Sequence, residues 1–168
     1  MESIQLGALG AVSNIDNEIY ILQSRSIIRN VVNRLNLHTS YIEEGRIKST
    51  DLYNSSPVEV SMSQEQLNSL QNDIEFRMTT NSDNSRVRVF GIIGGAQIDT
   101  LFTTLPAQLH TAQGNISFTE REGASPRESN LLVTIQHSNA VIDHYRSNLT
   151  IQQASKQASV LDLSLNTA

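Results

Sequence analysis

The feature that most constrains this chain is the run from Ser13 to His38, SNIDNEIYILQSRSIIRNVVNRLNLH. Ile15, Ile19, Leu22, Ile27, Ile28, Val31, Val32 and Leu35 recur mostly at spacings of three and four, which puts them on one face of an amphipathic helix. Ser13 or Asn14 stands where an N-cap belongs. Asp16 and Glu18 fall in the first turns and Arg25, Arg29 and Arg34 follow, the charge order a helix dipole favours. The adjacent pairs Ile27/Ile28 and Val31/Val32 widen the stripe, so the second half is expected to touch more than one neighbour. The polar face carries no catalytic group. A continuous scaffold helix over 15–37, covering a sheet, is the expectation.

Beyond it the period changes. LHTSYIEEGRIKSTDLYNSSP reads as an excursion, partly extended within SYIEEGRIKSTDLY, and PVEVSM opens a strand after Pro57 with Val58 and Val60 alternating against Glu59. SQEQLNSLQNDIEFRMTT begins as a short helix or loop and ends alternating at Ile74, Phe76 and Met78. NSDNS is turn composition and RVRVFGII alternates again, which predicts a hairpin. GGAQIDTLFTTLPAQLHTAQGNISFTE reads as a loop leading to an extended piece near LPAQLHT and a short strand NISFTE. REGASPRESN is loop and LLVTIQHS is strand. SNAVIDHYRSNL is a short helix capped by Ser138 or Asn139, and LTIQQAS and ASVLDLSL are two closing strands. The last runs to NTA without a stop signal, as expected of a chain that continues.

No internal repeat is visible. The order predicts an α+β fold: a mixed or antiparallel sheet of about five or six strands, covered by one long N-terminal helix and a short second helix. The 168 residues read as a single domain, 1–168, with loop excursions near 38–57 and 91–130.

Composition narrows function more than fold. The net charge is -5 and only 17% of residues are charged, so no general basic field draws the chain to nucleic acid or to an anionic membrane. The lack of cysteine removes disulfides and CxxC-type zinc sites. The longest apolar run, VFGIIGGA, is far short of the ~20 residues that span a bilayer. MESIQLGALGAV, with its acidic second residue, does not read as a signal peptide.

Candidate chemistry is sparse. His38, His110, His137 and His144 are scattered, without metal-ligand spacing. Gly91, Gly94 and Gly95 follow a strand but match neither GxGxxG nor GxxxxGK[ST], so they read as a turn. No GxSxG elbow occurs. Glu43/Glu44 and Glu120/Glu122 are the pairs a glycosidase would need, and adjacent surface glutamates are the ordinary reading. Arg46 and Lys48 form a local basic spot beside acids. The eight aromatics are too dispersed for a stacking platform. Arg25 and Arg29, four apart on one helical face, are the candidate subunit-contact or anion-binding residues. No catalytic, metal-binding or cofactor-binding residue is expected.

NEIYILQSRSIIRNVVNRLNLHTSY resembles the segment after the first transmembrane helix of bacterial polysaccharide chain-length determinants, the co-polymerases of capsule, exopolysaccharide and O-antigen assembly. Glu18, Ile19, Ile21, Leu22, Ser24, Arg25, Val31, Val32, Leu35, Asn36 and Leu37 carry the match. EGRIKSTDLYNSSPVEV is similar to a strand lead-in of the Bacteroides-type branch, often fused to a cytoplasmic tyrosine autokinase. LPAQLHTAQGNISF is similar to another of its segments, with Ala112 and Gln113 where proline and phenylalanine are more usual. YRSNLTIQQASKQASVLDLSLNTA matches the stretch leading to membrane-returning helices. The resemblance implies a non-enzymatic periplasmic domain of an inner-membrane protein that assembles with copies of itself, as a ring, and regulates polymer length or export. It implies no cofactor and no nucleic acid. Its other implied partners are the polysaccharide and its polymerase or export machinery, with the membrane reached through other segments. No kinase motif occurs here, so kinase activity stays with a parent protein. The alternatives are a carbohydrate-binding module contacting the polymer directly and an envelope adaptor.

Overall fold

The computed structural model describes residues 15–44, 49–53, 55–155 and 160–166. The proposed caps Ser13 and Asn14 and the basic spot at Arg46 and Lys48 lie outside them. The fold is α+β with antiparallel sheets that do not close into a barrel, and it divides into two compact units, 36–138 and 1–35 with 139–168.

The 36–138 unit is built from two sheets. Strands β1 (Thr39–Glu44), β2 (Ser49–Asp51), β4 (Ile74–Thr80), β5 (Val87–Ile93), β6 (Ala96–Phe102) and β9 (Ser129–Ile135) form the larger, in the order β2-β1-β9-β4-β5-β6. Strands β3 (Val58–Ser61), β7 (Ala107–Thr111) and β8 (Gly114–Glu120) form the smaller, in the order β3-β8-β7. Every pairing among the described residues is antiparallel. Strict alternation sets which face goes inward: Ile74, Phe76 and Met78 of β4 and Leu131, Val133 and Ile135 of β9 are buried, while Glu75 and Arg77 face out. Val58, Val60, Ile116 and Phe118 close the core from the smaller sheet, with Leu67 of the short helix α3 (Gln64–Ser69) beside them. Phe118 meets Phe76 edge-on at 6.1 Å between ring centroids and Phe102 at 5.3 Å. The layers are tied a second way: the Tyr41 hydroxyl on β1 accepts the Val60 N–H of β3 at 2.7 Å.

The other unit holds α1 (15–22), α2 (Arg25–Arg34), α4 (Ser138–Asn148) and the hairpin of β10 (Leu149–Gln153) and β11 (Leu161–Leu165). The single helix expected over 15–37 is broken. Ser24 is extended at φ -65°, ψ 142°, and its hydroxyl accepts the Ile27 N–H at 3.4 Å, capping a new helix instead of continuing the old one. The helix also ends early, at Arg34, with Asn36 in the left-handed region at φ 51°.

Strands are present within PVEVSM, IEFRMTT, RVRVFGII, NISFTE, LLVTIQHS and LTIQQAS and in the described part of ASVLDLSL, with β9 ending at Ile135 and β10 at Gln153, and the expected helix SNAVIDHYRSNL runs from Ser138 to Asn148. The sheet inventory differs from a single sheet of about five or six strands: six strands pair in one sheet, and three more form a second layer. The stretches read as loop excursions at 38–57 and 91–130 are rich in strand. Ala96–Phe102 is β6, paired along its whole length with β5, and Gly94 and Gly95 make the turn between them at φ 59° and 83°. That turn joins two strands and opens no helix.

Candidate functional site

Two surfaces stand out, one on each unit. On the outward face of the six-stranded sheet, residues from β4, β5, β6 and β9 line an open groove of about 900 Å³. Thr79, Asn81, Arg86, Phe90, Leu101 and Asn130 contribute to its wall, with Glu43, Glu44, Arg88 and Glu128 adding charge. Direct cross-strand neighbours share a face, which is why Thr79 lies with Arg88 and Asn130, and Arg88 with Leu101.

The charges of this face are organised in pairs. Arg77 grips Glu44 with two bonds of 3.0 and 3.1 Å, reaching across β9 to do so. Arg88 grips Asp99 at 2.8 and 2.7 Å, and its guanidinium lies 5.6 Å from the Phe90 ring centroid. Hydrogen bonds from the arginines hold the Glu44 and Asp99 carboxyls below their ordinary range, and the arginines rise in turn. Glu43 accepts from Arg127 at 3.3 Å. The glutamates a glycosidase would need are therefore ion-paired at 43 and 44, while Glu120 and Glu122 lie exposed at the end of β8 and in the following turn.

The second surface belongs to the helix–hairpin unit. In the β10–β11 register Leu149 opposes Leu165, Ile151 opposes Leu163, and Gln153 opposes Leu161, so one side of the ribbon is almost wholly apolar. The other side sets Thr150 against Ser164 and Gln152 against Asp162. Coverage is uneven: Ile151 is 7% exposed and its partner Leu163 59%. Leu165 and Val160 are exposed too, as are Tyr20 and Ile21 of α1, Val31 of α2 and Leu35 at its C-cap. On the helices, Ile28, Val32, Val141 and Ile142 take the buried positions.

Arg25 and Arg29 share α2 but have different surroundings. The Arg25 guanidinium donates to both Asp143 carboxylate oxygens and, at 3.0 Å, to the Asn139 side-chain oxygen, fastening α2 to α4. Arg29 is exposed one turn on. Arg146, which the sequence reading did not single out, donates from Nε to the Gln23 carbonyl at 3.3 Å, at the break between α1 and α2. The histidines stay apart in role. His110 bonds Asn115 at 2.8 Å, His137 Nε2 lies 3.1 Å from the Asn68 carbonyl, and His144 meets the Tyr145 ring edge-on at 5.5 Å. Among the described residues no group of three or more His, Cys, Asp or Glu could hold a metal ion. Among them, too, no helix is long and apolar enough to cross a membrane.

Sequence reasoning missed Tyr41. Its hydroxyl is buried between the sheets, and burial pushes the phenol up to about 12. Arg121 lies over the same ring at 5.6 Å. No local pattern reports a tyrosine that bonds a backbone 19 positions away. Comparison with protein-family models and with curated proteins returns no match.

Proposed function

We propose that this chain is a non-enzymatic periplasmic assembly domain of an inner-membrane protein that regulates polysaccharide chain length or export. The observation carrying the reading is the exposed apolar surface of the helix–hairpin unit. Large side chains such as Tyr20, Ile21, Leu163 and Leu165 stand in solvent there, whereas the larger sandwich unit leaves Tyr53, Ile92 and Leu101 exposed and buries most of its others. Exposed apolar surface concentrated in one region is a mark of association. The resemblance of residues 18–37 to chain-length determinants supplies the identity of the partner, further copies of the same chain, and of the process, polymer assembly with its polymerase or export machinery. Of the two candidate arginines, Arg29 is the subunit contact; Arg25 serves inside the unit through Asp143 and Asn139.

The test is the particle size of the intact membrane protein in detergent, with polymer length in the producing cells as a second readout. Leu163→Asp with Leu165→Asp should shrink the particle and disturb polymer length. Unchanged particles and polymer would sink the reading.

The groove on the six-stranded sheet favours a second reading, direct contact with the polymer. Side-chain amides, hydroxyls, paired charges and one aromatic ring on an open surface are groups that hydrogen-bond and stack on sugars. Titration with purified polysaccharide fragments decides it: saturable NMR shifts at Asn81 and Asn130 support contact, and no shift at millimolar sugar disposes of it.

A further inference from the structure

The edge strands of the sandwich are β2 and β6 on the larger sheet and β3 and β7 on the smaller. Most are guarded. β2 is three residues long, and β7 is five and directly preceded by Pro106. On β3 the Tyr41 hydroxyl accepts the Val60 N–H at 2.7 Å and the Asn36 side chain donates to the Val60 carbonyl at 3.2 Å. β6 differs. It runs seven residues without proline or lysine, and its register with β5 is unbroken from Val87–Phe102 to Ile93–Ala96, so no bulge twists it away. Among the described residues β5 is its one strand neighbour.

The turn determines which groups on that edge are free. Gly94 and Gly95, both left-handed, close a two-residue hairpin, and the Ile93–Ala96 pair flanking such a turn exchanges hydrogen bonds. Antiparallel alternation then gives Ile98, Thr100 and Phe102 to β5 and turns the N–H and C=O of Gln97, Asp99 and Leu101 outward. Ile98 and Phe102 pack partly buried against the core, while Leu101 is 55% exposed on the opposite face.

We propose that β6 pairs with β6 of a second copy of this chain, antiparallel about a two-fold axis at Thr100, joining two six-stranded sheets into one. The contact lies outside the helix–hairpin surface and does not rest on it. A two-fold contact closes at two copies, so it adds a pair to an assembly and builds no larger particle by itself. A second copy is the occupant because the edge complements itself. Centred on Thr100, the register sets Ile98 against the partner's Phe102, Thr100 against the partner's Thr100, and Asp99 against the partner's Leu101, with both backbone bonds exchanged at the Asp99–Leu101 pairs. A register centred on Asp99 would set two carboxylates face to face, and one centred on Ile98 would leave Leu101 and Phe102 opposite glycines. Charge agrees with the choice. Arg88 is the cross-strand neighbour of Leu101, so it stands with one strand between itself and the partner's Asp99, the span Arg77 covers to reach Glu44 across β9.

The chain has no cysteine, so a single introduced one reports the pairing. At a non-hydrogen-bonded pair the two Cα atoms stand about 4.5 Å apart, within disulfide reach. Thr100→Cys, mildly oxidised in the full chain, should therefore link into dimers. Gln97→Cys, whose two copies this register holds roughly 20 Å apart, should link roughly tenfold less. Adding Leu101→Lys, a charge at an exposed edge position, should cut the Thr100→Cys yield severalfold without moving the unfolding midpoint. The link should persist when Leu163 and Leu165 are both replaced by aspartate, and in the unsubstituted chain amide protection at Asp99 and Leu101 should rise with protein concentration. Equal yields at the two cysteine positions, a link indifferent to Leu101→Lys, one lost with the hairpin substitutions, or protection independent of concentration overturns the pairing.

Discussion

The sandwich unit and the helix–hairpin unit are made from the same kinds of residue and use them differently. In the sandwich, alternation on β4 and β9 turns every second side chain into a core shared with the smaller sheet, where Phe118 meets Phe76 inside the core and the partly buried Phe102 beside it. In the helix–hairpin unit the alternation of β10 and β11 is as regular, yet Leu163 and Leu165 remain in solvent. Amphipathic patterning thus specifies a face without specifying what covers it. A two-stranded ribbon is at best marginal alone, and its apolar side gains only from a further partner. The contrast separates residues that hold the fold from apolar residues the described structure leaves exposed.

Substitutions in the sandwich test the first half of that contrast and should have the largest effects. Phe118→Ala empties the place where both sheets meet and should cost about 3–5 kcal/mol in chemical unfolding. An effect as small as that of a surface change would mean the sheets do not share a core. Tyr41→Phe should cost less, about 1–3 kcal/mol, because it strands the buried Val60 N–H rather than opening a cavity. Tyr41 also sets an alkaline limit. With its phenol raised from 10.0 to about 12, the folded state favours the neutral form, so its contribution is complete below pH 10 and is lost as pH climbs through 12. Unfolding midpoints measured over that window should fall more steeply in the native chain than in Tyr41→Phe.

The smallest effect is expected on the outward face of the sheet. Asp99→Asn removes the partner of Arg88 in full solvent, and the unfolding midpoint should not move measurably. A clear loss would show the groove to be structurally coupled to the core.

How much of this was legible follows from the range of each interaction. The helical stripe, the β4–β5 hairpin and the helix after Ser138 were readable because their signals lie within a few neighbouring residues. The break at Ser24 was hidden because serine is tolerated within helices, and only its extended backbone turns the hydroxyl into a cap. Strand β6 was hidden for a different reason. As an edge strand with little burial, AQIDTLF lacks the apolar alternation of a core strand. The second sheet depends on β3 pairing with β8, Val58 opposite Glu120, and no local pattern announces that. The candidate surfaces divide the same way. Arg25 and Arg29 were visible from helical spacing, but not that Arg25 would be taken by Asp143; the Arg77–Glu44 pair, 33 positions apart with a strand between, left no trace at all.

The central claim is that the sandwich carries stability and the helix–hairpin unit carries assembly. The most direct measurement compares particle mass and unfolding midpoint for the intact protein and for a variant with Tyr20, Ile21, Leu163 and Leu165 all replaced by serine. Unchanged cooperative unfolding of the sandwich together with a collapse of particle mass is the predicted result. Full-sized particles from the fourfold variant would contradict the account.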